Sequence, residues 1–337
     1  MDISRSFFGN TAAGEPVSLY TLRNSCGAEA GILDLGAAVQ SLRVPAPGGI
    51  RDVILGYDDA ASYENQDSYM GVTVGRVANR IAGACITLGE ETFRLTANEG
   101  SKCHHGGVPG FGKRMWTRKE DADRLILTYH SPDGESGFPG SLDVSASFLL
   151  TEDNALEIKY SAVSDRDTPI SLTSHCYFNL LGHDAGTLKG HTLQIHADKA
   201  LQLDDQLVPN GVFDHVAGTD QDFLEMRPLI ADPDHPHDLN FVIGTAPWTP
   251  LRIVASAAAD GLQMDCLTTQ PGLQLYTADA LEPTPGKGGT VYQTFGAFCL
   301  EAQNWPDAVH HSDFPTCILR AGETYQQKIV YQFHAIP

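Results

Sequence analysis

Short runs of alternating apolar and polar residues recur along the chain, and they constrain its fold more than any other feature. In the two clearest runs, residues 142–150 and 156–162, every second residue is apolar. Between them lie Glu152, Asp153 and Asn154, which are typical turn residues. Because successive side chains on a strand point to opposite faces, the two runs predict a β-hairpin with one buried face.

The same pattern elsewhere predicts an all-β protein. Its 33 Gly and 19 Pro are spread through 337 residues, so turns should be frequent and helices short. We expect short helices at residues 60–69 and 222–227. Many short strands with turn signals at close intervals indicate a large antiparallel β-sandwich, and the absence of a linker predicts a single domain over residues 1–337. The other predicted strands are residues 17–22, 31–35, 39–44, 86–88, 93–95, 125–129, 193–197, 251–255, 262–269, 273–277 and 325–333.

The charge of the chain restricts its partners. Forty-two acidic residues against 22 basic ones give a net charge of −20, which repels phosphate backbones, so nucleic acid is excluded as a partner and a neutral small molecule is favoured. The sequence has neither a signal-peptide pattern nor an apolar run that could span a bilayer, so we expect a cytoplasmic protein with no membrane partner. Its seven cysteines form no C-x-x-C pair, which argues against a disulfide framework.

Glu301 is the first candidate for chemistry. Phe298, Leu300 and Ala302 share one face of a predicted strand, so Glu301 projects from the opposite face. Charged residues are mostly exposed, and a solvated glutamate at a strand end is one interpretation. The alternative is a carboxylate held on a rigid strand at a pocket, where it would act as a general base.

His175 is the second candidate. In the segment 171–182, SLTSHCYFNLLG, it shares one face of an extended run with Thr173 and Tyr177. A single histidine in such a segment usually has a structural role. The alternative is a general acid, because an unperturbed imidazole titrates at about pH 6.5.

Two polar segments could bind a ligand through neutral or cationic donors. Residues 75–80, GRVANR, are either a strand end with solvated arginines or a turn at which Asn79 and Arg80 present donors to hydroxyl groups. His104 and His105 precede two glycines, and they could bind a metal ion or a ligand. Because neighbours on an extended chain point to opposite faces, at most one of them should serve a given site, and we favour His105.

Two further segments carry candidate ligand-binding residues. Asp238 begins an apolar stretch, and Gln274 alternates with Leu273 and Leu275 so that its amide could reach a ligand. His235 and His237 could chelate a metal ion, although a polar loop beside several aspartates is the other interpretation.

Taken in order, these segments resemble the aldose 1-epimerase (galactose mutarotase) family along nearly the whole chain. The sequence departs from the family pattern at His104, where leucine is common, and at His310, where asparagine is usual. The motifs that carry the resemblance are G-R-V-A-N-R at 75–80, H-G-G at 105–107 with a following G-F and tryptophan, T-S-H-C-Y-F-N-L-L-G at 173–182, Q-P-G-L-Q-L-Y-T at 270–277 and L-E-A-Q-N-W-P-D-A at 300–308.

The resemblance implies a galactose mutarotase-like supersandwich and an isomerase that interconverts the α and β anomers of free aldohexoses such as glucose and galactose, without cofactor or metal. It implies that Glu301 is the catalytic base and His175 the catalytic acid. A non-catalytic carbohydrate-binding protein and a hexose-6-phosphate epimerase are the alternatives, and both monomer and homodimer remain open. The resemblance also implies a set of sugar-binding residues, namely Asn79, Arg80, His105, Asp238 and Gln274.

Overall fold

In the computed structural model, which describes residues 1–246 and 250–336, the chain folds almost entirely into antiparallel strands. Three sheets with five or more strands organise the described residues. The large sheet has, in spatial order, the strands Thr117–Lys119, Leu125–Ser131, Leu142–Leu150, Ala155–Ser164, Thr324–Ala335, Leu262–Thr268, Arg252–Ala259, Thr192–Ile195 and Arg227–Pro228.

The two smaller sheets have five strands each in the part of the chain that the structure describes. The N-terminal sheet follows chain order, and the site sheet brings together strands from the second half of the chain. The N-terminal sheet comprises Asp2–Asn10, Pro16–Arg23, Glu29–Leu33, Val39–Ala46 and Gly49–Asp52. The site sheet comprises, in spatial order, Pro209–His215, Lys199–Leu203, Asp238–Val242, Gly272–Tyr276 and Cys299–Gln303.

Short elements connect the sheets. Two-stranded pairs join Arg80–Ile81 to Cys103–His104, Cys85–Leu88 to Glu91–Arg94, Thr73–Val74 to Thr173–Ser174, Thr168–Pro169 to Ile318–Leu319 and Thr284–Pro285 to Val291–Tyr292. The described helical segments are the α-helix Ala60–Asn65 and the 3-10 turns Ala82–Ala84, Phe111–Lys113, Glu135–Gly137 and Lys287–Gly289.

An apolar core joins the three sheets. It includes Ile32 of the N-terminal sheet, Tyr160 and Tyr331 of the large sheet and Leu300 of the site sheet, each of which is almost fully buried. Because each sheet contributes one face to this core, the predicted antiparallel sandwich is confirmed. The division into domains is not tested by this arrangement, and a single domain over residues 1–337 stays a prediction.

Most of the predicted elements are confirmed. The hairpin of residues 142–162 forms with Leu150 opposite Leu156, as the alternation requires. The helix at residues 60–69 extends over Ala60–Asn65, and the Asp59 carboxylate caps it by accepting a hydrogen bond from the Ser62 backbone N–H. In the described part of the chain, no helix is both long and apolar enough to cross a membrane.

The prediction of a helix at residues 222–227 is wrong. The carbonyl of Phe223 accepts a hydrogen bond from the Ile195 N–H, and Arg227 pairs with Leu193 at the edge of the large sheet. Phe223 is also buried in the core. Backbone groups committed to a neighbouring strand cannot form the i to i−4 bonds of a helix, so tertiary contacts override the local pattern.

Arg76 is buried, which contradicts the interpretation that the arginines of residues 75–80 are solvated. Its side chain is 1% exposed, and its guanidinium donates to the carbonyls of Pro139 (2.8 Å) and Gly140 (2.9 Å) and to the hydroxyls of Ser131 (2.6 Å) and Thr168 (3.1 Å). The segment that precedes Asn79 and Arg80 is therefore fixed to the turn before one of the long strands of the large sheet.

We expect Arg76→Met to lower the free energy of unfolding by about 3 kcal/mol or more, because it leaves several buried acceptors without a donor. Urea unfolding followed by circular dichroism measures the change. Arg320→Met is the matched control, since the side chain of Arg320 is 66% exposed and pairs with Asp167 at the surface, so its loss should cost less than about 1 kcal/mol. Equal stabilities for the two variants would contradict the structural role of Arg76.

Candidate active site

A pocket of about 600 Å³ opens beside the site sheet and contains most of the predicted site residues. A wider groove of about 830 Å³ lies on the large sheet, where Glu157 is paired with Arg124 and Lys328, and none of the predicted site residues lines it. The predicted residues that line the first pocket are Asn79, Arg80, His105, His175, Asp238 and Glu301.

The strand Cys299–Gln303 places Glu301 at the base of this pocket. Leu300 and Ala302 point into the core, so Glu301 points the opposite way, as the alternation predicts. Its carboxylate is buried, and Oε2 has no hydrogen-bond partner in the protein. A buried acceptor without a partner is costly, and a bound molecule with a hydroxyl group could satisfy it.

His175 lies directly against this carboxylate, with Nε2 at 3.7 Å from Oε1 of Glu301. Its backbone N–H donates to the carbonyl of Val72, and its ring stacks on Tyr177 with the centroids 5.0 Å apart. On the other edge of the ring, Nδ1 lies 3.6 Å from the sulfur of Cys299. The imidazole is therefore fixed on both sides, with Nε2 towards the carboxylate.

Burial shifts the two groups in opposite directions. Desolvation raises the pKa of Glu301 well above its usual range, with a further contribution from the Asp238 charge, whereas Arg80 opposes the shift. Desolvation also lowers the pKa of His175 to about 4. Over the pH range between these pKa values the pair holds one proton, and burial favours its uncharged form, with the proton on Glu301. Such a pair can donate a proton to one oxygen and accept one from another.

His105 presents a hydrogen-bond donor to the pocket. The Asn79 backbone N–H donates to Nδ1 of His105 (3.2 Å), so the neutral ring carries its proton on Nε2. Burial and the neighbouring imidazoles of His104 and His175 lower the pKa of His105 well below its usual range, which keeps the ring neutral. His105 is therefore available as a neutral hydrogen-bond donor.

The expectation that only one of the two adjacent histidines reaches the pocket is wrong. His104 and His105 both line it, and their ring centroids lie 3.8 Å apart. The reason is backbone conformation, because His105 has a φ of +49° and the chain is not extended there. Side chains at a left-handed residue do not follow the alternation of a strand.

The histidines do not form a suitable metal site. Among the described residues, ligand atoms of His105, His175 and Glu301 lie within 4.8 Å of one another. However, Nδ1 of His105 already accepts the Asn79 N–H and Nε2 carries the proton, so neither nitrogen offers a lone pair.

His235 and His237, the H-x-H pair, also have hydrogen-bond partners within the protein. His237 contacts Gln221 (2.8 Å) and the Ile230 carbonyl (3.1 Å), and His235 contacts Asp232 (2.9 Å). The two rings therefore have separate partners, which matches a structural loop.

Arg80 organises the acidic wall of the pocket. It is 6% exposed, and its guanidinium lies 2.8 Å from Glu99 and 3.5 Å from Asp238. Gln274 donates to the other oxygen of Asp238 (2.6 Å) but does not itself line the pocket. Of the predicted binding residues, Gln274 would therefore act on a ligand through Asp238.

Several pocket residues were not identified from the sequence. Tyr177 shares the predicted face of His175, so the alternation contained a signal for it. Tyr276 likewise shares the face of Gln274 on the strand Gly272–Tyr276, whereas Tyr69 and Asp279 lie outside regular strands, where no periodicity reveals the direction of a side chain. One oxygen of Asp279 is buried without a partner, and burial raises the pKa of its carboxyl group.

Comparisons with known proteins give matches along nearly the whole chain. A family model described as aldose 1-epimerase matches residues 18–332. The chain is 36% identical to an aldose 1-epimerase of Haemophilus influenzae, covering 96% of this chain and 98% of the relative. It is 35% identical to a galactose mutarotase of Mus musculus, covering 99% of each. The crystal structure of a GalM/aldose epimerase homologue from C. elegans matches with a TM-score of 0.89 at 28% identity, covering 95% of this chain and 100% of that one.

We expect Glu301→Gln to be more stable than the wild type at pH 7.5, by at least about 1 kcal/mol. Because the pKa of Glu301 is raised in the folded protein, the wild type loses stability as the pH rises from the unfolded value of about 4.5 towards the folded value. Glutamine does not titrate, so the advantage should be small near pH 4.5 and should grow with pH. Urea unfolding at several pH values measures it, and a constant difference at all pH values would contradict the raised pKa.

Proposed function

The chain belongs to the aldose 1-epimerase family, and on that premise we propose that its pocket interconverts the α and β anomers of a free aldohexose such as glucose or galactose. The observation that carries the proposal is the contact between Glu301 and His175, whose Oε1 and Nε2 atoms lie 3.7 Å apart at the base of the pocket. One proton donor and one proton acceptor at this spacing suit a hemiacetal, because its hydroxyl and its ring oxygen share a single carbon.

In the proposed mechanism, the carboxylate of Glu301 removes the proton from the C1 hydroxyl while the imidazolium of His175 protonates the ring oxygen. The C1 to ring-oxygen bond breaks, and the sugar becomes an open-chain aldehyde. Rotation about the C1–C2 bond presents the other face of the aldehyde. Reclosure with both proton transfers reversed gives the opposite anomer. No C–H bond breaks, so the reaction itself requires no hydride acceptor.

Burial of the pair supports this sequence of proton transfers. Ring opening converts a carboxylate and an imidazolium into a carboxylic acid and a neutral imidazole, without changing the number of protons. A dry pocket disfavours both charged forms, as the raised pKa of Glu301 and the lowered pKa of His175 indicate. The pocket therefore favours the protonation state that accompanies the open chain, and each proton transfer contributes about 10²- to 10⁴-fold to the rate.

The other pocket residues position the sugar. The Nε2–H of His105 is a donor for a sugar oxygen, and Asp238 is an acceptor held by Arg80 and Gln274. We propose that Asn79 also binds the sugar, because it lines the pocket next to His105. Hydroxyl groups held in this way keep C1 and the ring oxygen aligned with Glu301 and His175, so less entropy is lost on reaching the transition state.

A non-catalytic carbohydrate-binding protein remains the second candidate. Such a protein would need the concave polar pocket but not a buried carboxylate in contact with an imidazole. Burying these two groups costs stability, and sugar binding alone gives no reason to bear that cost. The contact therefore favours the enzyme. The cytoplasmic location, the single domain and the choice between monomer and homodimer stay predictions.

We expect Glu301→Gln and His175→Asn each to lower turnover by at least about 10²-fold with little change in KM, since each removes one proton-transfer group and leaves the binding residues in place. Polarimetry of freshly dissolved α-D-galactose and α-D-glucose measures the approach to equilibrium rotation. Glu157→Gln is the control, because that glutamate lies on the large sheet far from the pocket. A wild-type rate in either active-site variant would remove that residue from the mechanism.

We expect hexose 6-phosphates to be poor substrates, with kcat/KM at least about ten-fold below that of the free sugar. Among the described residues, the pocket lining carries five carboxylates (Asp67, Glu99, Asp238, Asp279 and Glu301) and two basic side chains (Arg80 and Lys113).

Both basic groups are already paired, Arg80 with Glu99 and Asp238 and Lys113 with Asp67, so the described lining offers no unpaired cation for a phosphate. Polarimetry with galactose and galactose 6-phosphate at matched ionic strength makes the comparison. Equal values for the two sugars would favour the hexose-6-phosphate epimerase alternative.

A further inference from the structure

We propose that Cys299 is a positioning residue for His175. The Cys299 thiol holds the Nδ1 edge of the imidazole so that Nε2 faces Glu301, and it is only a weak hydrogen-bond partner for the charged ring. The inference rests on the proposed function, in which His175 must donate a proton and recover it in every cycle.

The geometry places both partners of the imidazole on one strand. Cys299 and Glu301 are two residues apart on Cys299–Gln303, so their side chains project to the same face. The sulfur lies 3.6 Å from Nδ1, and Oε1 lies 3.7 Å from Nε2. One rigid strand therefore contacts both nitrogens of the ring. A shift of this strand would move the base and the orienting group of the acid together.

The chemistry of the thiol suits a proton donor. Cys299 is fully buried, and desolvation together with the Glu301 charge raises the pKa of its thiol well above the usual range, so the sulfur stays neutral. A carboxylate at the same place would stabilise the imidazolium, as it does where histidine must be held as a cation or as a metal ligand. Sulfur is a weak acceptor, so the imidazolium keeps a strong tendency to release its proton.

The side chains that face His175, apart from Cys299 and Glu301, are mainly aromatic rings, and a hydrogen bond to its own backbone partly opposes the lowering of its pKa by desolvation. The rings of Tyr69 and Tyr177 stack on it, and those of His105 and Tyr276 meet it edge-on. Within the described residues, the other charged and titratable side chains that line the pocket make no hydrogen bond to Nδ1 of His175; they are His104, Arg80, Glu99, Asp238, Asp67, Asp279 and Lys113.

The test compares Cys299→Ser and Cys299→Ala with the wild type. A serine hydroxyl is a stronger acceptor than sulfur, so Cys299→Ser should stabilise the imidazolium and move the acidic limb of kcat/KM upward by about half a pH unit or more. At pH values below this acidic limb, Glu301 and His175 are both protonated, so neither can act as the base. Cys299→Ala should leave the ring without its contact, and we expect turnover to fall several-fold with little change in KM.

Two further measurements separate a positioning role from a structural one. Titration of His175 by ¹⁵N NMR in histidine-labelled protein reports its pKa without any assay, and we expect the Cys299→Ser variant to titrate at higher pH than the wild type. Cys317→Ser is the matched control, since it replaces another buried thiol that does not line the pocket, and it should leave the titration and the pH profile unchanged.

Unchanged pH profiles and unchanged ¹⁵N titration in both Cys299 variants would overturn the proposal, even if their turnover falls. Absence of epimerase activity in the wild type would instead refute the proposed function. The NMR titration would still decide whether Cys299 governs the acidity of His175, so the two failures can be told apart.

Discussion

The structure depends on one constraint, which is the burial of a carboxylate and an imidazole in contact with each other. Water would stabilise both charged forms, and the pocket withholds it from Glu301 and His175. Between the two pKa values the pair therefore holds a single proton, and burial favours its uncharged form, a carboxylic acid beside a neutral imidazole. In the proposed mechanism, ring opening of the hemiacetal produces this form of the pair.

The sandwich makes this burial possible. The strand that carries Glu301 is anchored on its other face by Leu300 and Ala302, which pack in the core shared with the large sheet. Arg80, held by Glu99 and Asp238, keeps the adjacent wall polar without leaving a free cation next to the pair. A rigid strand thus holds the proposed base, while turns supply several of the residues that we propose bind the sugar.

The predictions from the sequence were wrong where a turn or a long-range contact, rather than the regular alternation of a strand or the periodicity of a helix, determines the direction of a side chain. His104 and His105 both reach the pocket because the backbone leaves the extended region at His105. Residues 222–227 have a helical pattern, yet the carbonyl of Phe223 is committed to a neighbouring strand. Arg76 is buried because carbonyls from a distant turn receive its donors, and such long-range partners leave no periodic signal in the sequence.

The sequence by itself determined the all-β class, most of the strands and the direction of Glu301, because alternation along a strand is a local property of the backbone. Its motifs also indicated the family, and they pointed to the two residues that we propose as the acid and the base. Only the tertiary structure decided that Glu301, His175 and Cys299 meet, that Gln274 contacts Asp238 and that Tyr69, Tyr276 and Asp279 complete the pocket. These contacts join segments that lie far apart in the chain, and their distances and desolvation arise only when the sheets pack.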